Sequence, residues 1–150
     1  MTDKPAPLFD TLVIIGPGLI GSSILRRAHA DRRIARRLVA CDISPAVRAR
    51  VAELGIADAV EADPAAAVRN ADCVIICVPV GAIAMVAAQV LPAMKKGAIL
   101  SEVGSVKVTV MEAMAPLLSA YPDIAFVPAH PMAGTEFSGP DAGFATLFED

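Results

Sequence analysis

The chain carries the stretch Gly16-Pro17-Gly18-Leu19-Ile20-Gly21 between an apolar run at residues 12–15 and a predicted helix at 19–30. In a G-x-G-x-x-G turn the first glycine permits the tight turn and the second lets a pyrophosphate approach the backbone. The third lets the helix pack closely on the strand. The phosphates then lie at the helix N-terminus, where free N–H groups and the helix dipole favour anions. The strand-turn-helix context therefore predicts a dinucleotide site.

An acidic residue, Asp42, ends the second predicted strand. Its carboxylate can accept hydrogen bonds from the adenosine ribose and would repel a 2′-phosphate, so the sequence predicts NAD in preference to NADP. Two alternatives stay open. Asp42 could simply cap the loop before Pro45, and NADP would be tolerated if Arg48 reached its phosphate.

Apolar runs and helical segments alternate along the chain. The predicted strands cover residues 12–15, 38–41, 59–61, 73–77, 98–101 and 125–127, and the predicted helices cover 19–30, 45–54, 64–70, 81–91 and 107–120. Such alternation implies right-handed βαβ crossovers. We therefore predict a Rossmann-type α/β fold, a doubly wound, mainly parallel sheet with helices on both faces. Residues 11–150 form the predicted NAD(P)-binding domain, after an N-terminal extension at 1–10.

Composition excludes several classes of protein. A length of 150 residues favours one domain, and 55% hydrophobic against 19% charged residues excludes a disordered chain. A net charge of −3 argues against a nucleic-acid partner. Six arginines between residues 26 and 37 are the local exception, but no aromatic or amide side chains are interleaved with them for base contacts. We interpret them as the solvated end of a helix and the loop after it.

Two further patterns bear on membranes, metals and compartment. The uncharged stretch 73–94 is long enough to span a bilayer, but Pro79 and Gly81 divide it into a strand and a helix. The three cysteines lack metal-ligand spacing and lie in apolar runs, which predicts buried free thiols and no metal site. Free thiols and an N-terminus without a signal-peptide core predict a cytoplasmic protein with no membrane partner.

Polar loops follow the fifth and sixth predicted strands. They are Ser101-Glu102-Val103-Gly104-Ser105-Val106-Lys107 and the segment 130–139, HPMAGTEFSG. Ligands bind at the carboxyl ends of strands in open α/β sheets, so both loops are expected to face the nicotinamide. An imidazole at His130 can take the proton of a substrate hydroxyl, and Ser105 can hydrogen-bond both groups. The alternatives are a surface histidine and a helix-capping serine.

The chain resembles the prephenate/arogenate (cyclohexadienyl) dehydrogenase family in four motifs taken together. They are the glycine turn, Cys77-Val78-Pro79, Gly104-Ser105-Val106-Lys107 and His130-Pro131-Met132-Ala133-Gly134-Thr135-Glu136. The resemblance implies NAD-dependent oxidative decarboxylation of prephenate to 4-hydroxyphenylpyruvate, or of arogenate to tyrosine, with His130 acting on the 4-hydroxyl and Ser105 orienting it. It implies cofactor contacts from the glycine turn, Asp42, Val78, Pro79 and Gly104, and supporting roles for Lys107, Thr135 and Glu136. Glu102 stands where relatives commonly have aspartate.

Length is the departure from this family. Its members continue with a helical domain that forms a homodimer and supplies basic residues to the substrate carboxylates, whereas no arginine follows Arg69 in this chain. We expect the 150 residues alone to bind NAD and to be weakly active or inactive. Two other functions stay open, a stand-alone NAD(H)-binding regulatory module and another two-domain hydroxyacid or imine-type oxidoreductase.

Overall fold

A computed structural model describes residues 5–149. The strands are β1 (Phe9–Ile15), β2 (Ala35–Cys41), β3 (Ala59–Glu61), β4 (Cys73–Ile76), β5 (Ile99–Glu102) and β6 (Ala125–Pro128). The helices are α1 (Leu19–Ala30), α2 (Pro45–Leu54), α3 (Pro64–Ala67), α4 (Val80–Val90) and α5 (Lys107–Leu118). Two short 3-10 turns, Leu91–Ala93 and Pro140–Ala142, complete the described elements.

The six strands form one sheet in the order β3-β2-β1-β4-β5-β6, and every pair is parallel. The order reverses between β1 and β4, which is the topological switch point where open α/β sheets bind their ligands. This order confirms the predicted Rossmann-type fold.

Helices α1 and α2 pack on one face of the sheet, and α3, α4 and α5 pack on the other. Leu25 of α1 and Val51 of α2 are fully buried in one cluster with Leu12, Ile14 and Leu38 of the sheet. The second cluster joins the opposite face to the other helices, through Val68 after α3, Ile83 and Val90 of α4 and Met114 of α5. Both faces are therefore apolar and buried, as a parallel sheet requires.

Side-chain caps fix several helix boundaries. Ser44 accepts a hydrogen bond from Val47 N (3.4 Å) at the start of α2, and Asp63 accepts one from Ala65 N (3.0 Å) at the start of α3. Proline follows each cap at the first helical position, where its missing N–H has no cost. Gly55 ends α2 with φ 64°, the left-handed geometry that glycine adopts freely. These boundaries lie where the sequence predicts them.

Several boundaries differ from the prediction. Strand β1 begins at Phe9, inside the predicted extension, because Asp72 accepts hydrogen bonds from the N–H groups of Asp10 and Thr11. Residues 1–4 of that extension lie outside the described residues. Helix α3 ends at Ala67 because a turn, with Ala71 N bonded to Val68 O at 3.0 Å, leads the chain into β4. Helix α4 runs from Val80 to Val90, one residue earlier at each end than predicted.

The arginine cluster lies partly outside the predicted helix end and loop, because Arg36 and Arg37 belong to β2. Several of its members form surface ion pairs, such as Arg32 with Asp58 at 2.8 Å and Arg36 with Asp10 at 3.0 Å. Paired, solvated arginines agree with the interpretation as a surface. Among residues 5–149, no helix has the length and apolar character needed to cross a membrane.

After β6 the chain returns across the first two helices. The turn Pro140–Ala142 packs on α1 and α2, and Arg50 forms a two-point ion pair with Asp141 (2.6–3.0 Å). Gly143 lies so close to α1 that a Cβ there would overlap the Ser22 hydroxyl. Phe144 N also donates to the Ser23 hydroxyl at 3.1 Å. The loop at 129–139 is thus held between β6 and the helix that follows the glycine turn.

Candidate active site

The glycine turn has the geometry that its motif predicts. Gly16 has φ 83°, and its carbonyl accepts a hydrogen bond from Gly18 N at 2.8 Å. A Cβ on Gly21 would lie 2.6 Å from Gly16 O, so only glycine lets the helix sit this close to the turn. A Cβ on Gly18 would meet nothing within 4 Å, which leaves open space beside the backbone. The first and third glycines are therefore needed for packing, and the second leaves room for a ligand.

The N-terminus of α1 faces that open space without a side-chain cap. Gly18 is the N-cap residue, and the first turn contains no acidic residue. The N–H groups of Leu19, Ile20 and Gly21 precede the first intrahelical hydrogen bond, which Ser22 N donates to Gly18 O at 2.9 Å. Such groups need another acceptor, and together with the helix dipole they favour an anion. This helix end can therefore hold a phosphate group.

A cavity of about 380 Å³ extends from the glycine turn along the carboxyl edge of the sheet. Its wall combines Gly16 and Gly18 with residues that follow β2 and β4 and with one face of α4. Those further wall residues include Asp42, Ile43, Pro64, Cys77, Val78, Pro79, Ala82, Met85 and Gln89. The wall is mostly apolar, which suits a flat aromatic group such as adenine. Val78 and Pro79 share this wall with Gly16 and Gly18 of the glycine turn.

Asp42 both lines this cavity and shapes the loop after β2. Its Oδ1 accepts a hydrogen bond from Ser44 N at 2.8 Å, so the predicted capping alternative is present in the structure. Asp42 nevertheless remains partly exposed and forms part of the cavity wall. Arg48 donates to the carbonyl oxygens of Asp42 and Ile43 at 2.8 and 2.9 Å. Its guanidinium is therefore engaged with the backbone.

The loop after β5 is built on a buried carboxylate. Glu102 is 0% exposed, and its Oε2 accepts a hydrogen bond from Gly104 N at 2.7 Å. Its Oε1 accepts a hydrogen bond from the Lys107 ammonium. Gly104 is confined as well, since a Cβ there would lie 2.9 Å from Ile83 Cδ1. The Glu102 carboxylate is thus bonded both to the backbone of Gly104 and to the side chain of Lys107.

Ser105 lies between these anchored residues and is exposed at the carboxyl edge of the sheet. The N-cap position of α5 is Val106, and no side chain caps that helix. The structure therefore does not use Ser105 as the capping serine, which was its structural alternative.

His130 follows the adjacent strand and is also exposed. Strands β5 and β6 pair with Glu102 opposite Pro128, and Ala129 N donates to Glu102 O at 3.0 Å. The imidazole lines an open depression of about 430 Å³ together with Ser101, Val103, Ile24 and Phe148. Ser105 and His130 thus follow neighbouring strands at one sheet edge, although no hydrogen bond within 5–149 joins their side chains.

The segment 131–139 crosses the start of α1. A Cβ built on Gly134 would lie 3.8 Å from Leu19 Cδ2, so this segment passes near the residue that follows Gly18. Thr135 accepts a hydrogen bond from Phe137 N at 3.2 Å and so stabilises the loop itself. Glu136 is exposed, and none of the ion pairs described for residues 5–149 involves it. The His130 loop therefore passes close to the start of α1, beside the glycine turn.

Burial makes the three cysteines poor nucleophiles. It raises the pKa of Cys41 and of Cys77 to about 12 and that of Cys73 to about 11, with the neighbouring Asp42, Glu102 and Asp72 carboxylates as secondary causes. Only the thiolate attacks or binds metal. Within the described part of the chain, no group of three His, Cys, Asp or Glu side chains could hold a metal ion. The chemistry available here is anion binding, hydrogen bonding and proton transfer by imidazole.

Part of this wall was not predicted from the sequence. Ala82, Met85 and Gln89 of α4 line the cavity, and their spacing of three and four residues places them on one helix face. That spacing could have indicated from the sequence that the three residues share a face of α4. Ile43, 84% exposed at the cavity mouth, directly follows Asp42 and was equally accessible to sequence reasoning.

Comparison with known proteins gives consistent results. Residues 23–150 match the family model described as prephenate dehydrogenase, nucleotide-binding domain. The chain is 46% identical over 146 residues to the cyclohexadienyl dehydrogenase of Zymomonas mobilis, a match that covers 95% of this chain and 47% of that protein. It is 32% identical over 146 residues to the prephenate dehydrogenase of Bacillus subtilis, covering 94% of this chain and 38% of that protein. The chain thus spans about half or less of these relatives' length.

Two solved structures share the fold. The arogenate dehydrogenase of Synechocystis superimposes with a TM-score of 0.79 at 26% identity, over 91% of this chain and 46% of that one. The prephenate dehydrogenase of A. aeolicus, solved with hydroxyphenyl propionate and NAD+, superimposes with a TM-score of 0.77 at 22% identity, over 99% of this chain and 49% of that one. The shared region is in each case about half of the larger protein.

Proposed function

The chain belongs to the prephenate dehydrogenase family, and on that premise we propose that it is the cofactor-binding part of an enzyme that oxidises prephenate or arogenate with NAD. In this proposal residues 11–150 form the NAD(P)-binding domain, and the reaction is oxidative decarboxylation to 4-hydroxyphenylpyruvate or tyrosine. The activity is that of the gene product as a whole, because this chain spans only part of its relatives' length. The full-length enzyme is proposed to be a cytoplasmic homodimer.

One observation carries the proposal. The loop that bears His130 passes near Leu19 at the glycine turn, and Ser105 follows β5, the strand next to β6. The glycine turn and two side chains that can handle a hydroxyl or a proton therefore all follow strands at one edge of the sheet. Hydride transfer coupled to removal of a hydroxyl proton requires this combination.

The residues present fit a dinucleotide. The uncapped end of α1 and the open space at Gly18 fit a pyrophosphate, and the apolar cavity beside Val78 and Met85 fits an adenosine. Gly104 lies next to Ser105, where it would support the nicotinamide end. When bound, NAD supplies the hydride acceptor. In the A. aeolicus structure, a prephenate dehydrogenase of this fold is bound to NAD+.

The preference for NAD over NADP rests on Asp42. A carboxylate at the cavity wall favours ribose hydroxyls and repels a 2′-phosphate. Arg48 could offset that repulsion only by reaching the 2′-phosphate. In the structure its guanidinium donates instead to two backbone carbonyls. Both features support NAD as the cofactor.

His130 and Ser105 divide the work on the substrate. His130 is proposed to accept the proton of the 4-hydroxyl, and Ser105 to hold that hydroxyl in line. Loss of the ring carboxylate as CO₂ makes the ring aromatic, so positioning and one base suffice. Thr135 stabilises the His130 loop through its hydrogen bond with Phe137 N, and Glu136, which is exposed, is proposed to take part in a polar network around the substrate.

A regulatory NAD(H)-binding module has less support. Such a module needs the glycine turn and Asp42 but has no use for Ser105 and His130 at the same sheet edge. The named relatives at 46% and 32% identity are dehydrogenases.

The deciding experiment supplies the full-length gene product with prephenate or arogenate and with NAD or NADP, and follows reduced nicotinamide. We expect turnover with at least one substrate and a higher kcat/KM with NAD. Absence of turnover with both substrates, together with NAD binding, would favour the regulatory module instead.

A further inference from the structure

Glu102 is a fully buried carboxylate to which the proposed reaction assigns no role. It ends β5, is 0% exposed, and lies three residues before Ser105. Its two oxygens have different partners, the backbone N–H of Gly104 and the ammonium of Lys107. The four residues from 104 to 107 are therefore attached at both ends to one side chain.

Because Glu102 is buried, loss of either partner of its carboxylate should disturb this attachment. A buried charge is costly unless it is paired and hydrogen-bonded, and removal of one partner leaves the other uncompensated. Lys107 is the first residue of α5, so its bond to Glu102 also fixes where that helix begins. Breaking the pair should thus move the loop that carries Ser105.

Neighbouring packing restricts the same loop from the other side. Val103 N donates to Ile76 O at 3.3 Å, and Gly104 lies against Ile83 and Val80 of α4. Ser105 itself is exposed and caps no helix, so its own contacts do not hold it. Its position depends on the residues on each side.

We infer that Glu102 and Lys107 form a positioning pair that places the Ser105 hydroxyl toward the substrate. This inference rests on the proposed function, because it assigns the pair a role in that reaction. The alternative role for Lys107 is direct binding of a substrate carboxylate. Its ammonium is instead bonded to Glu102, and its side chain is only 28% exposed.

The test uses the full-length gene product and the variants Lys107→Met, Glu102→Gln, Ser105→Ala and the two pairwise combinations with Ser105→Ala. We expect Lys107→Met and Glu102→Gln each to lower kcat by about 10-fold or more, the scale of a lost orienting contact, with substrate KM changed less than about 3-fold. In the Ser105→Ala background the same changes should lower kcat by less than about 2-fold further, because residues that act as one unit are not additive. Lys107→Arg, which keeps the charge, should retain more activity than Lys107→Met.

Two results would overturn the inference. A large rise in substrate KM with kcat unchanged in Lys107→Met would indicate direct substrate binding. Full additivity with Ser105→Ala would show that the pair does not act through that hydroxyl.

A second measurement keeps the test independent of folding and of the proposed function. Amide hydrogen exchange at residues 103–106 should accelerate in Lys107→Met while exchange in β1 and α1 stays unchanged, and unchanged exchange at 103–106 would contradict the inference. If the wild-type protein oxidises neither substrate, the proposed function fails, whereas the exchange result still reports whether the pair holds the loop.

Discussion

Gly21 packs against the carbonyl oxygen of Gly16 so closely that a methyl group at position 21 would lie 2.6 Å from that oxygen. The same methyl would lie 3.0 Å from Ile14 Cγ2, inside the sheet. The turn that forms the phosphate site is therefore also a packing contact between α1 and β1. Substitutions at Gly18 and at Gly21 can therefore separate an effect on NAD binding from an effect on folding stability.

Gly21→Ala should weaken both stability and NAD binding. Overpacking by the added methyl group costs about 1–3 kcal/mol, which corresponds to a decrease of several degrees in Tm for a chain of this size.

Gly18→Ala should leave Tm nearly unchanged, because a Cβ there meets nothing within 4 Å. It should nevertheless weaken NAD binding by about 10-fold, because the methyl group fills the space proposed for the phosphates. Differential scanning fluorimetry and calorimetric titration with NAD measure the two effects. Gly81→Ala, on α4 with open space around its Cβ, is the control and should preserve NAD affinity. Equal loss of Tm in the Gly18 and Gly21 variants would contradict this assignment.

Asp42→Asn should shift cofactor preference toward NADP. The amide can still accept the hydrogen bond from Ser44 N, so the loop keeps its shape while the negative charge is lost. We expect the ratio of NAD to NADP affinity to decrease by about 10-fold, the scale of one charge-assisted hydrogen bond. Titration with both nucleotides measures it. Glu53→Gln, which removes a charge from the exposed side of α2, should leave the ratio unchanged. An unchanged ratio in Asp42→Asn would remove the basis for NAD preference.

His130→Ala should abolish most turnover without affecting cofactor binding. Loss of a general base lowers kcat by about 100-fold to 10,000-fold, whereas NAD is held by the glycine turn and the cavity. Steady-state kinetics on the full-length gene product and NAD titration test both statements. His29→Ala, the other histidine of this sequence, lies exposed at the end of α1 and serves as the matched control. Ordinary turnover by His130→Ala would exclude the histidine as the base.

Asp72 should make the fold sensitive to acid. The Lys95 ammonium, at 2.6 Å, and the N–H groups of Thr11 and Asp10 hold the pKa of the Asp72 carboxyl below its ordinary value of 3.8. A carboxyl whose pKa is lower in the folded state contributes stability above the unfolded-state pKa, and this contribution disappears as pH falls through the folded-state pKa. Asp72→Asn should therefore lower the unfolding free energy at pH 7 by about 1–2 kcal/mol. Below about pH 4, the variant should lose less stability on acidification than the wild-type protein does. Denaturant titrations at several pH values measure this. Asp123→Asn, at an exposed pair with Lys96 at 3.7 Å, should change stability by less than about 0.5 kcal/mol.

The cysteines should resist thiol reagents in the folded protein. Burial raises the pKa values of all three thiols to about 11 or 12, so almost no thiolate exists at pH 8. A chromogenic disulfide reagent should modify none of them within minutes under native conditions and all three after unfolding. Rapid native labelling of any of the three, including Cys77, which is only partly buried at the cavity wall, would contradict this expectation.

The sequence predicted most of the fold because the signals that end helices and strands are local. Ser44 and Asp63 cap α2 and α3 at the predicted residues, and Gly55 ends α2 where its left-handed φ is needed. Helix α3 was predicted too long because the turn at Val68 depends on the path into β4 rather than on a breaker residue. For the site, the sequence indicated that Ser105 and His130 follow strands at a common edge, and the strand order places those strands side by side.

By itself, the sequence determined the alternation of strands and helices, the glycine turn and the acidic residue after β2, because each is specified by residues close together in the chain. Only the tertiary structure decided which distant groups meet. The Asp72 carboxylate accepts hydrogen bonds from Asp10 N and Thr11 N, 62 and 61 residues away, and Asp141 pairs with Arg50, 91 residues away. Such contacts depend on how the sheet orders its strands and on which face each helix covers, and no short stretch of sequence encodes either.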